Sequence, residues 1–153
     1  MLTAKLPETQ TKPFMQKLLT ENAFDAFACR SAMVSSFARL ELDGAPDRDE
    51  NQDTPQKPAY NSWSALRPYV AQFVRGGGRP KSMKLVFALS AEELANRFPE
   101  ASALFLNVLF DGAVTLTTGT ARKSFSLDKS LDHAWEAHVQ HFLTANNITF
   151  EME

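Results

Sequence analysis

The stretch from Leu104 to Leu127, LFLNVLFDGAVTLTTGTARKSFSL, constrains the fold more than any other part of the chain. Two alternating apolar runs flank Asp111-Gly112, a pattern that predicts a two-residue type I′ hairpin turn. Such a turn sets a register. Phe110 should oppose Ala113, Val108 oppose Thr115 and Leu106 oppose Thr117 on one face, with Leu109–Val114 and Asn107–Leu116 on the other. Large apolar groups on both faces of the first run predict a central strand covered on both sides. A second reversal at Thr118-Gly119-Thr120 should lead into a third strand, with Phe125 and Leu127 pointing in and Arg122, Ser124 and Ser126 pointing out. The expected unit is a three-stranded meander.

Helical patterning surrounds it. Asp128 or Ser130 can cap a helix over 129–146 whose Leu131, Ala134, Trp135, Val139, Phe142 and Leu143 form a wide apolar stripe. Pro13 suits the first turn of a helix over 12–22 carrying Phe14, Met15, Leu18 and Leu19. In YNSWSALRPYVAQFVR, Asn61 or Ser62 caps a helix over 62–75. Pro68 should force that helix to restart or kink, because its ring meets the Ser64 carbonyl. Ser90 opens a capping box, SAEEL, for a short helical turn over 91–97. Strands are expected at Met1–Leu6, at Met83–Leu89 and at Ile148–Phe150, the last an edge guarded by Glu151 and Glu153. Between Phe24 and Leu42 the alternation slips parity, which reads as two short strands or one bulged strand. The fold class is therefore α+β: a mainly antiparallel sheet of five to seven strands, packed by about three helices plus a short helical turn.

The 153 residues, 44% hydrophobic, suit a single domain spanning 1–153. Residues 43–58, DGAPDRDENQDTPQKP, hold five acids, two bases and three prolines, the composition of a mobile, solvated acidic loop. The formal charge of −2 gives no global field toward nucleic acid or an anionic membrane, so any anion binding must be local. Nucleic acid as a partner is neither excluded nor favoured on that ground. A single cysteine, Cys29, rules out an intrachain disulfide framework and fits a reducing cytosol. With neither a signal-peptide core nor 18 successive apolar residues, a cytoplasmic location is expected and no membrane partner.

Few residues suggest chemistry. Arg75-Gly-Gly-Gly-Arg79-Pro-Lys81 could offer backbone amides and positive charge to a phosphate, and Arg122 and Lys123 could extend that patch if the fold brought them together. The element order, helix then strand, is wrong for a nucleotide loop, so a helix stop with basic side chains near a negative dipole is the plainer reading. The three histidines share the last helix. At 100° per residue His138 lies in the apolar stripe, His141 about 60° from it and His133 roughly 140° away, so only His138 and His141 could share a ligand or a catalytic carboxylate. Packing explains His138 more simply. Asp47, Asp49, Asn51 and Asp53 alternate like calcium-loop ligands, but Gln52 replaces the required glycine and Pro58 the glutamate. Cys29 reads as core, and no metal or cofactor site is expected. Trp63 and Tyr69 read as helix-packing groups, with a partner groove as the alternative.

YNSWSALRPYV, SMKLVFALS and LFLNVLFDGAVTLTTGTARKSFSLDKSLDHAW together resemble a family of small uncharacterised bacterial proteins classed as a domain of unknown function. The resemblance implies a single-domain bacterial cytosolic protein and carries no functional residues over. The leading expectation is a noncatalytic binding or interaction module that contacts an anionic partner through Arg75, Arg79, Lys81, Arg122 and Lys123. The alternatives are a small enzyme using His138 or His141 with a carboxylate, and a protein–protein adaptor marked by an exposed apolar patch.

Overall fold

Alternating residues organise the computed structural model, which describes residues 1–46 and 60–153, into one antiparallel sheet. Its strands are β1 (Thr3–Lys5), β2 (Ala28–Ser35), β3 (Arg39–Asp43), β4 (Ser82–Ala88), β5 (Ala101–Phe110), β6 (Val114–Arg122) and β7 (Glu151–Met152). They lie in the order β3-β2-β4-β5-β6-β1-β7. Four α-helices accompany them: α1 (Thr11–Leu19), α2 (Trp63–Gly77), α3 (Ala91–Arg97) and α4 (Ser130–Ala145), with a 3-10 turn at Glu8–Gln10. The α+β class and the antiparallel sheet are as the sequence predicts. The acidic segment is described only as far as Pro46, so the mobile-loop and calcium-loop readings of 47–58 lie outside the described residues.

The inner strands each bury one face, whereas β3 and β7 at the edges contain no buried residue. Met83, Leu85 and Phe87 of β4, Leu104, Leu106, Val108 and Phe110 of β5, and Val114, Leu116 and Thr118 of β6 are all buried. Above them lie Trp63 of α2 and Leu131, Trp135, Val139 and Leu143 of α4, also buried. Trp135 donates its indole N–H to the Phe105 carbonyl at 2.9 Å, which satisfies the one polar atom this large side chain brings into the core. Phe24 joins the helices to the sheet, stacking on Phe87 (5.4 Å) and meeting Phe14 and Phe142 edge-on. The intervening residues Phe105, Asn107 and Leu109 of β5 are only half-buried. No described helix covers that face, so among the described residues β5 is not sandwiched as expected and the packing has two layers.

The hairpin register also differs from expectation. Phe110 pairs with Val114, Val108 with Leu116 and Leu106 with Thr118, so the loop holds three residues, Asp111–Ala113, with Gly112 at φ +105°. The two-residue turn would have set Val108 against Thr115 and buried Asn107 with Leu116. One additional loop residue places like with like across the pair, and burial of a continuous apolar face decides the register. The third meander strand is not formed. Thr118, Gly119 and Thr120 continue β6, because they pair with Leu106, Phe105 and Leu104 of the long strand β5. Gly119 lies opposite Phe105 rather than in a turn. The up-and-down run is instead β4–β5–β6, and Phe125 and Leu127 are 90% and 85% exposed.

Both readings of the 24–42 region are realised: two strands, with a bulge in the first between Cys29 and Ser31. Helix α2 runs unbroken through Pro68. The carbonyl that this proline leaves without an amide partner belongs to exposed Ser64, where water can serve it. The Ser62 and Ser90 hydroxyls cap α2 and α3 at Ala65 N and Glu93 N. At the far edge, Lys5 holds Glu153 at 2.8 Å beside β7.

The one-sided core makes a direct prediction. Leu106→Ala should lower the unfolding free energy by about 2–5 kcal/mol, while Leu109→Ala on the uncovered face should cost less than half as much. Urea titrations of the two variants check this, and equal losses would mean that the second face is covered too.

Candidate functional site

Three pieces of backbone meet at one end of the sheet. The tip of the β2–β3 hairpin, Ser36–Ala38, is closed by Ser36 N–H donating to the Ala38 carbonyl at 2.9 Å. Helix α2 ends beside it at Gly78, whose φ of +76° turns the chain out of the helix. Lys81 N–H then donates to the Ser35 carbonyl at 2.8 Å, which ties the glycine-rich turn to the hairpin before β4 begins.

This junction holds an aromatic ring in place while leaving it in water. Phe37 is 75% exposed, yet its ring stacks on Phe73 of α2 at 5.5 Å between centroids and 22° between planes. Gly77 makes the stacking possible: a Cβ there would lie 2.8 Å from two Phe37 ring carbons and 2.8 Å from Ser36 Oγ. The Ser36 hydroxyl is buried and has no hydrogen-bond partner among the described residues. Tyr69, one helical turn before Phe73, is 66% exposed and so is not the packing group expected, whereas Trp63 is wholly buried and donates to the Leu18 carbonyl at 3.1 Å.

Arg39, Arg75, Arg79 and Lys81 leave this junction and are all exposed, but the Arg39 guanidinium is turned to the uncovered face of the sheet, against Met33 Sδ at 2.9 Å. Arg39 pairs with Glu41 at 3.0 Å. Among the described residues Arg75, Arg79 and Lys81 form no ion pair. The loop that carries Asp111 lies at this end of the sheet too, since Met83 at the start of β4 pairs with Phe110. The C-terminal dipole of α2 amounts to roughly half a negative charge, which the three unpaired cations outweigh.

The other basic residues are elsewhere. Arg122 pairs with Ala101 at the opposite end of β5 from Phe110, about 30 Å away at the usual rise per residue. Arg122 donates to the Asp128 carbonyl, and Lys123 N–H to the Glu100 carbonyl at 3.2 Å. The five cations therefore form two groups. The sequence missed Phe37 and Arg39, for which the only signal was a large aromatic residue at a hairpin tip.

His138 is a packing group. It stacks on Trp135 (5.3 Å, 20°) and meets Phe98 edge-on at 6.0 Å. Burial above all, with Arg97 and His141 adding to it and Glu93 opposing, lowers its pKa below the ordinary value. No carboxylate is in ion-pair reach of it among the described residues, and His141 is exposed. Cys29 is buried, and desolvation pushes its thiol up to about 12. A cleft of about 380 Å³ near Phe27, Tyr60, Ser62, Ser90, Leu94 and Ser102 offers little chemistry, because its two serine caps are committed to helix amides. No group of three metal-ligating side chains occurs among the described residues, and no described helix is long and apolar enough to cross a membrane.

Two titration outcomes follow. Because the folded pKa of His138 lies below its unfolded value, stability should be flat above pH 6.5 and decline as pH falls below it, levelling off beneath the folded pKa. His138→Gln should remove that part of the slope in urea titrations run across the range. Cys29 should resist a thiol reagent at pH 8 in native protein and react promptly in urea; rapid native labelling would contradict its burial.

A family model described as Family of unknown function (DUF5721) matches residues 17–151. Neither the curated proteins nor the solved structures provide a match.

Proposed function

We propose that this chain, which belongs to that family of unknown function, is a noncatalytic binding module that holds an anionic partner against the basic end formed by Arg75, Arg79 and Lys81. The observation that carries the reading is the exposed Phe37 ring, docked on Phe73 at the junction from which these cations emerge. An exposed aromatic ring kept in a defined orientation supplies contact area at little entropic cost, and cations beside it supply attraction. The formal charge of the whole chain is −2, so the attraction is local and acts over about a Debye length. The buried thiol, and imidazoles with no carboxylate in ion-pair reach among the described residues, favour binding over catalysis. We place the module in the bacterial cytosol, where a lone reduced cysteine is at home.

Titration with heparin as a polyanionic probe tests this. Affinity should be measurable at low salt and fall linearly in log–log form as salt rises. The double variant Arg79→Ala/Lys81→Ala should lose about tenfold or more, whereas Arg122→Ala/Lys123→Ala at the distant end should bind as the parent does. Absence of binding at low salt, or equal loss in both variants, would overturn the reading.

A further inference from the structure

The geometry points to single-stranded nucleic acid as the ligand of the basic end, with one base stacked on the outer face of Phe37; this rests on the anion-binding reading above. The first ground is the pose of the ring. Its inner face lies on Phe73 and over Gly77, nearly parallel to the Phe73 plane, and three-quarters of the residue remains open to water. A ring lying flat presents a π-face, the surface on which a nucleobase stacks irrespective of sequence. A side chain that anchors to a lipid surface would instead project its apolar end outward, as Phe125 and Leu127 do at the far end of the molecule.

The second ground is the arrangement of charge. Arg75, Arg79 and Lys81 are exposed and unpaired among the described residues, and they leave the same junction from which Phe37 is displayed. Cations beside a stacking ring match the alternation of phosphate and base along a strand. Tyr69 stands four residues before Phe73, about 6 Å along the helix axis, and offers a second exposed ring for an adjacent base. Bases within a duplex are already stacked, so a single strand is the form that can use Phe37.

The test compares three probes at low salt: an oligothymidylate of about twelve nucleotides, an abasic oligomer of the same length and charge, and vesicles of phosphatidylcholine with phosphatidylglycerol. The oligothymidylate should bind at least about fivefold more tightly than the abasic strand. Phe37→Ala should abolish that ratio, and Phe37→Trp should preserve or raise it. Gly77→Ala keeps the phenyl ring but drives it off Phe73, so it should also abolish the ratio while leaving the circular dichroism spectrum unchanged. Arg79→Ala/Lys81→Ala should weaken both strands alike. Equal affinity for the two strands, both sensitive to Arg79→Ala/Lys81→Ala, would overturn base stacking and leave the broader anion reading standing. Vesicle binding that depends on Phe37, without strand binding, would replace nucleic acid by a lipid surface. Failure of every probe and of heparin would remove both readings.

Discussion

One-sided burial of the sheet is the constraint on which the remaining structure depends. With helices above it and none described below, every strand must send its larger apolar side chains the same way, and a slip of one residue would exchange the core for the solvent face. Leu85, Leu106, Val108 and Leu116 hold this layer in β4, β5 and β6, and Trp135 closes it from above with its indole N–H bonded to the Phe105 carbonyl. The bulge between Cys29 and Ser31 serves the same end: it corrects parity within β2, so that Cys29, Ala32 and Val34 can all be buried. Residue Arg30 turns outward at the bulge and lies 5.2 Å over the Phe105 ring on the uncovered face.

The basic end is a by-product of how this layer is bounded. Helix α2 ends where β2 ends and β4 begins, since Ser35 pairs with both Arg39 and Ser82 and the chain must turn from the helix into β4 there. The glycines that stop the helix then leave space for the hairpin tip to lean over it, and Phe37 fills that space on Phe73. A larger residue at 77 would favour the helix and displace the ring. Exposure of Phe37 gains nothing for the core, and the unpartnered Ser36 hydroxyl beneath it adds a polar group without a hydrogen bond. Local costs that stability does not require are most readily understood as serving contact with another molecule.

Much of the fold was legible in the chain. Helical stripes located α1, α2 and α4, serine caps located the starts of α2 and α3, and the slipped parity before residue 42 indicated the bulge. The errors share one origin. Asp-Gly suggested a two-residue turn, Thr-Gly-Thr a reversal and Pro68 a helix break, each a local preference overridden by pairing or packing with distant residues. Gly119 stays in a strand because it pairs with Phe105 of β5, and Phe125 and Leu127 are left outside because no strand among the described residues pairs with them.

The candidate site divides in the same way. Arg75, Arg79 and Lys81 lie within seven residues, so their proximity was determined by the sequence alone. The arrival of Phe37 and Arg39 from about forty residues away, and the departure of Arg122 and Lys123 to the opposite end, were decided only by the tertiary structure. The physical reason is that periodicity and chain proximity are local, whereas strand order and the end of the sheet to which a loop is carried depend on which apolar faces find one another. What the sequence determined is a set of amphipathic elements; what folding decided is which of their ends meet.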